Sequence, residues 1–345
     1  MGLKHGGNVS AAAERFGIPV ERWIDLSTGI SPWNWPVPPV PEAVWRTLPD
    51  PGDGLELIAA TFFGCAPEAV LAVPGSQYAL QYMPANIPRG KVAMPQRGYA
   101  EHRAAWMQAG HRIIDYRDGA SLQKLVDAAA VDHALVINPN NPTGELLGQQ
   151  QLQDLHQQLH GKGGYLVVDE AFADTNPDHS LSPLCPVPGL IVYRSVGKFF
   201  GLAGLRLGFM LAPASLCHAL ESTMPPWQVS HPARWIGMGA LADSQWQLEQ
   251  RHRLDTAAER WLQTVRTIVP DLNFCGTSLF VSGTGEALYC QGLYQSMGRR
   301  GVLLRLFPDI GGQRTIRFGL PAPAVRAQVE HLLRESVGDC VCACG

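Results

Sequence analysis

Between residues 70 and 211 short β-branched or apolar runs alternate with amphipathic stretches, and this alternation constrains the fold more than any other feature of the chain. Strands are expected at Val70–Val73, Lys91–Met94, Arg112–Tyr116, Ala134–Ile137, Tyr165–Val168, Leu190–Tyr193 and Leu205–Leu211. Helical patterns such as Ser121–Ala130 and Gln149–His160 lie between several of them. Strands joined through helices pair in parallel, so the expectation is an α/β chain with a mostly parallel seven-stranded sheet between helices.

From about His231 the pattern changes to long helical stretches over Ala233–Val269, strand candidates near Val302 and Ile316, and a last helix over Ala322–Arg334. That reads as a smaller α+β C-terminal domain. The first 40 residues are rich in Gly, Pro and Trp without clear periodicity. The organisation expected is therefore an N-terminal arm over 1–40 that packs on the small domain and the active site, a large domain over 41–230, a small domain over 231–337 and a Cys-rich tail over 338–345.

With 345 residues the chain exceeds what one core usually supports, which agrees with two lobes. A net charge of −3 shows no basic excess for nucleic acid. No apolar run reaches the roughly 18 residues that cross a bilayer, and the opening MGLKHGGN lacks the hydrophobic stretch of a signal peptide. Gly6 stands where a myristoylation signal wants Ser or Thr. A cytoplasmic protein with no membrane partner is expected. Cys65, Cys185, Cys217, Cys275 and Cys290 are scattered, as in a reducing compartment. Cys340, Cys342 and Cys344 crowd into DCVCACG, where three thiols could hold a soft metal across subunits. No His or fourth Cys lies near them, so no metal site is expected.

Ligands of open parallel sheets bind beyond the carboxyl ends of the strands. After Val73 comes PGSQYAL, a glycine turn into a helix that would aim backbone amides at an anion. After Ile137 comes NPNNPTG, whose prolines and glycine fix a loop presenting Asn138, Asn140 and Asn141. After Val168 comes the pair Asp169-Glu170, and carboxylates buried at a strand end need a cationic partner. Of the five lysines only Lys198 follows a strand at its carboxyl end, in SVGKFFGLAGLRLGF, with Ser195 and Arg206 flanking it. A lysine in a dry cleft beside other cations becomes a nucleophile toward aldehydes.

NPNNPTG, DEAF and S-x-x-K with an arginine eight residues after the lysine, in this order, resemble the fold-type I pyridoxal-phosphate enzymes of the aminotransferase class I/II superfamily. The resemblance covers the large lobe. It implies that Lys198 carries pyridoxal 5'-phosphate as a Schiff base and that Asp169 pairs with the pyridinium nitrogen. Asn141 would bond the phenolic oxygen, and Tyr99 would stack on the ring. Ser76, Gln77, Ser195 and Arg206 would hold the cofactor phosphate. A homodimer is also implied.

Substrate groups decide which bond breaks at Cα. Arg317, in RTIRFGLP, matches the arginine that binds the substrate carboxylate in this family, and Arg305, in GVLLRLF, offers a second anion site. Two arginines suggest a substrate with two anionic groups. His5 and Gly6 in HGGN, with Gly29 and Ser31 in DLSTGISPW, would bind a substrate phosphate, and Asn141 would also face the substrate. HGGN, WQVSHPA and IRFGLP together are similar to the L-threonine-O-3-phosphate decarboxylases of cobalamin biosynthesis, which form (R)-1-amino-2-propanol O-phosphate. The alternative is a histidinol-phosphate or other amino-acid aminotransferase. Phe172 replaces a tyrosine common in that second group, which favours the decarboxylase. Three positions depart from the pattern: LPDPGDGLEL (Leu48–Leu57) has no tyrosine for a neighbouring subunit's cofactor, His231 replaces a glycine, and Ser31 an asparagine.

Overall fold

The computed structural model describes residues 6–342, and of 340–342 the helical backbone alone. The chain divides into two compact units, a larger one of residues 34–141 and 145–249 and a smaller one of residues up to 33, 142–144 and 250 onward.

The larger unit is built on a seven-stranded sheet in the order Val70–Val73, Gly208–Leu211, Leu190–Ser195, Leu166–Asp169, His133–Ile137, Lys91–Pro95, Arg112–Tyr116. Five neighbouring strands pair in parallel, while Gly208–Leu211 runs antiparallel to both its neighbours. All seven expected strands are present. The inner ones read as unbroken apolar runs because helices cover both faces: His133–Ile137 and Leu166–Asp169 are buried at every position, as is the edge strand Val70–Val73. Four strands shift by one or two residues at an end, and the last differs most: the chain before Gly208 makes a short 3-10 turn over Ala203–Leu205 and then takes a left-handed backbone at Arg206, where extended strand was expected.

Just past the sheet's centre Glu170 is sealed away from solvent. It accepts hydrogen bonds from Arg194 Nη1 (2.6 Å), the amide of Leu181 (2.7 Å) and the hydroxyls of Ser182 (3.1 Å) and Ser180. Arg194 reaches Asp174 with its other terminal nitrogen and lies over the Phe63 ring, 4.6 Å from its centroid. Burial by itself would pull the Arg194 pKa down, but Asp174 and Glu170 together hold it above the ordinary value. This network supplies the cation that the acidic pair was expected to need, for Glu170.

In the smaller unit a four-stranded antiparallel sheet runs in the order Arg305–Leu306, Gln313–Gly319, Phe280–Glu286, Asn273–Thr277. The last two strands and the helix Ala287–Arg299 were not anticipated. Gly283 and Gly285 hide the hairpin from propensity, and they are glycines because Leu272 packs where their Cβ atoms would be. The N-terminal residues are more regular than expected. Asn8 caps a helix over Val9–Phe16, Phe16 packs against Gly298, and Ile24–Asp25 pairs in parallel with Val302–Leu303. The long helical stretch breaks at Asp243 into His231–Ala242 and Ser244–Ile268. The final helix starts later than expected and runs on through Gly338, over Arg326–Cys342. Arg300 holds its last turns, pairing with Glu335 at 3.3 Å and Asp339 at 2.8 Å. Cys340 and Cys342 thus stand on a helix rather than in a separate tail, and Cys344 lies outside the described residues.

Replacing Arg194 with methionine strands two buried carboxylates. Arg194→Met is expected to lower unfolding stability by about 3–5 kcal/mol, measured as a shift in the urea midpoint, whereas a loss under about 1 kcal/mol would mean the network is solvated.

Candidate active site

Strand register brings the expected cofactor residues of the larger unit to one edge of its sheet. Ile137 pairs with Asp169, Asp169 with Tyr193, and Ser195 with Gly208, so the segments that carry Asn141, Asp169, Ser195 and Lys198 all leave the sheet on the same side. Asp169 is buried, with 6% of its surface exposed. Its Oδ2 accepts from His102 Nε2 at 2.7 Å and its Oδ1 from the amide of Ala171 at 3.0 Å. The carboxylate is thus held from two sides, by the imidazole and by the turn that follows its strand. His102 was not singled out from the sequence. In AEHRAAWMQ it reads as one polar residue among charged ones on a helix, and only the fold turns it inward, fully buried and stacked 6.3 Å from Tyr193.

The turn from Val73 into the helix Ser76–Tyr82 forms a cradle. Gly75 has φ +79°, and a Cβ there would collide with the Arg206 guanidinium. A Cβ on Gly208 would strike the amide nitrogen of Ser76. Glycine is thus required at both positions for Arg206, the opening amides of the helix and the strand carrying Ser195 to converge. Arg206 is itself left-handed, with φ +53°, and exposed. Ser195 Oγ accepts from the amide of Gly197 at 3.3 Å. Backbone amides, a hydroxyl and a guanidinium form a donor set suited to a phosphate dianion. The Gln77 backbone lies in the first turn of this helix, while its side-chain Oε1 accepts from the Tyr99 hydroxyl at 3.0 Å and so fixes that ring. Lys198 is half-buried, its Nζ 5.5 Å from the centroid of the Phe172 ring.

The loop after Ile137 separates its three asparagines by role. Asn138 is structural: its Oδ1 accepts from the amide of Leu147 at 2.8 Å and its Nδ2 donates to the Leu147 carbonyl at 3.2 Å. Asn140 donates to the Arg97 carbonyl at 2.8 Å. Asn141, next in the chain, is half-buried.

In the smaller unit Arg317 and Arg305 sit directly opposite each other on adjacent strands. Arg317 is 4% exposed, donates to the Ser27 carbonyl, and lies 5.1 Å from the Phe280 ring and 5.8 Å from the Phe307 ring. Burial, with Arg305 the next cause and Asp25 opposing, pushes its pKa down to about 9. A cation so placed gains from an arriving anion. Ser27 Oγ donates to Asp25 at 2.6 Å and accepts from the amide of Gly7 at 2.7 Å, and Gly6 packs so closely on the Ser27 carbonyl that a side chain would not fit. Gly29 takes φ +62°. Ser31 is occupied internally: its hydroxyl donates to the Trp33 carbonyl at 2.7 Å and accepts from Gln250 at 2.8 Å. His5 lies outside the described residues. His231, at the start of its helix, meets the Thr47 hydroxyl at 2.8 Å.

Residues 55–322 match the family model for aminotransferase class I and II. The chain is 42% identical over 321 residues, 93% of each chain, to a threonine-phosphate decarboxylase from Pseudomonas aeruginosa. Its fold is similar to that of a histidinol-phosphate aminotransferase from Sinorhizobium meliloti in complex with pyridoxal-5'-phosphate, with a TM-score of 0.81 at 20% identity over 99% of this chain and 96% of that one. An L-threonine-O-3-phosphate decarboxylase from Porphyromonas gingivalis aligns with a TM-score of 0.71 at 18% identity, covering 89% and 100%.

Because the Arg317 pKa lies below its ordinary value, its charge weighs fully against the fold below pH 9, and the penalty lifts only as the pH rises past that point. Arg317→Met is therefore expected to melt no lower than the parent at pH 7, while affinity for an α-amino-acid ligand drops by about ten- to a hundredfold. A variant that melts well below the parent would show Arg317 to be structural.

Proposed function

The chain belongs to the aminotransferase class I and II family and uses pyridoxal 5'-phosphate, and from that premise we propose that it decarboxylates L-threonine O-3-phosphate to (R)-1-amino-2-propanol O-phosphate and CO₂. The observation that carries the substrate reading is the Arg305/Arg317 pair on adjacent strands, two cations for a ligand with a carboxylate and a phosphate. The relative named threonine-phosphate decarboxylase, similar over 93% of both chains, supports it.

The residues of the larger unit fit the cofactor. Lys198 is the amine that would hold its aldehyde carbon. Asp169, held in place by His102 and the Ala171 amide, would pair with the pyridine nitrogen. The cradle of Ser76, Ser195 and Arg206 binds the phosphate. Tyr99, oriented through Gln77, stacks on the ring, and Asn141 donates to the phenolic oxygen. Once bonded to a substrate amino group, pyridoxal phosphate supplies an electron sink for the pair left when a bond to Cα breaks.

In the smaller unit Arg317 takes the α-carboxylate in a fork and aligns it for departure. Arg305, the amides around Gly6 and Gly29, and His5 take the substrate phosphate. When CO₂ leaves, the pair that bound it stays behind and Cα must gain one proton, which the freed Lys198 ammonium delivers. Phe172 places an apolar ring beside Lys198, where a tyrosine would bring a further hydroxyl. The assignment includes a cytoplasmic homodimer serving cobalamin biosynthesis.

Holoenzyme given L-threonine O-3-phosphate should release CO₂ in amounts equal to the amine formed, and Lys198→Ala should lose both turnover and the visible absorbance of bound cofactor. Conversion of histidinol phosphate to its ketone with formation of glutamate from 2-oxoglutarate, without CO₂ release, would identify an aminotransferase instead.

A further inference from the structure

The cofactor-facing loop is held at two places that belong to different units. Its base is closed in the larger unit, where the Asn140 amide donates to the Glu145 carbonyl at 2.7 Å and Asn138 is tied twice to Leu147. Its tip, residues 142–144, belongs to the smaller unit, so the chain passes from one unit to the other immediately after Asn141. There the tip lies on the strand Asn273–Thr277. Gly144 takes φ +74°, and a Cβ on it would stand 3.1 Å from the N, C and O atoms of Gly276. Gly276 in turn has no room for a side chain, because its Cβ would lie 2.7 Å from the Phe280 carbonyl of the paired strand. Beside this contact the Cys275 thiol donates to the Thr143 carbonyl. Two glycines pressed backbone to backbone and a thiol bonded to the next carbonyl make a close fit to an edge strand.

We propose that the edge strand Asn273–Thr277, through Gly276 and Cys275, is a positioning element for Asn141. Asn141 is one peptide bond from the clamped tip and one residue from the closed base. Its side-chain direction therefore depends on both attachments. The contacts of Gly276 and Cys275 are with Gly144 and Thr143, so their effect passes through the backbone of Pro142–Gly144. The inference rests on the reading that Asn141 donates to the phenolic oxygen of pyridoxal phosphate. A donor at that oxygen stabilises its negative charge, and a displaced donor raises the pH at which the bound chromophore loses its proton. Coupling between two sites is reciprocal, so a cofactor that fixes Asn141 also steadies the tip over Cys275.

The test uses the holoenzyme and two variants. Gly144→Ala pushes the tip off Gly276. Gly311→Ala introduces the same kind of strain, at φ +64°, where nothing lies within 4 Å of the added methyl. Gly144→Ala should raise the absorbance-titration midpoint by about half a pH unit or more, and Gly311→Ala should leave it at the wild-type value. Independently of turnover, iodoacetamide labelling of wild-type Cys275, followed by peptide mass spectrometry, should slow about threefold or more when pyridoxal phosphate is bound. Cys275→Val, which keeps the volume and removes the donor, should shift the midpoint in the same direction as Gly144→Ala. If cofactor binds through Lys198 but labelling of Cys275 is indifferent to it and Gly144→Ala titrates as wild type, the clamp has no positioning role and the cofactor reading stands. If no visible band forms in the wild type, the cofactor reading fails and this inference fails with it.

Discussion

The hydrogen bond from His102 to Asp169 is the interaction on which the site in the larger unit depends. It partners a buried carboxyl group at the end of a strand that is otherwise wholly apolar. A buried polar group is unfavourable without hydrogen-bond partners, and here they come from the helix carrying His102 and from the turn that follows. Glu170, next in sequence, faces the opposite demand. It is tied to Arg194, Ser180, Leu181 and Ser182 and has nothing left to offer a ligand. Adjacent carboxylates thus divide the work, one anchoring the sheet's surroundings and the other available for chemistry.

Around that carboxyl group the sheet sets directions and the glycines set distances. Gly75 and Gly208 let Arg206 and the first amides of a helix approach the same point, and the left-handed backbone at Arg206 turns its side chain there. In the smaller unit the antiparallel register Arg305↔Arg317 puts two like charges side by side. That arrangement disfavours the empty protein, and an anionic ligand relieves it. Burial and the neighbouring Arg305 together push the Arg317 pKa down, and on the proposed reading the substrate carboxylate offsets that cost.

Much of this is legible in the sequence where the physics is local. Strands buried on both faces are apolar throughout, so all seven in the larger unit stand out, and Lys198 is marked by its place after one of them. Legibility ends where a residue's role depends on a distant partner. His102 looks solvated until its helix is packed, Asn138 and Ser31 look like ligand groups until Leu147 and Gln250 take them up, and the Phe280–Glu286 strand carries glycines that only Leu272 explains. The helix through Gly338 is similar, since Arg300 offsets a poor helix former there.

The central claim is that one lysine of five carries the cofactor. Borohydride reduction of the holoenzyme, followed by digestion and mass spectrometry, fixes the cofactor to whichever lysine holds it. The account predicts a phosphopyridoxyl adduct on Lys198 alone; an adduct on Lys4, Lys91, Lys124 or Lys162 with Lys198 unmodified would contradict it.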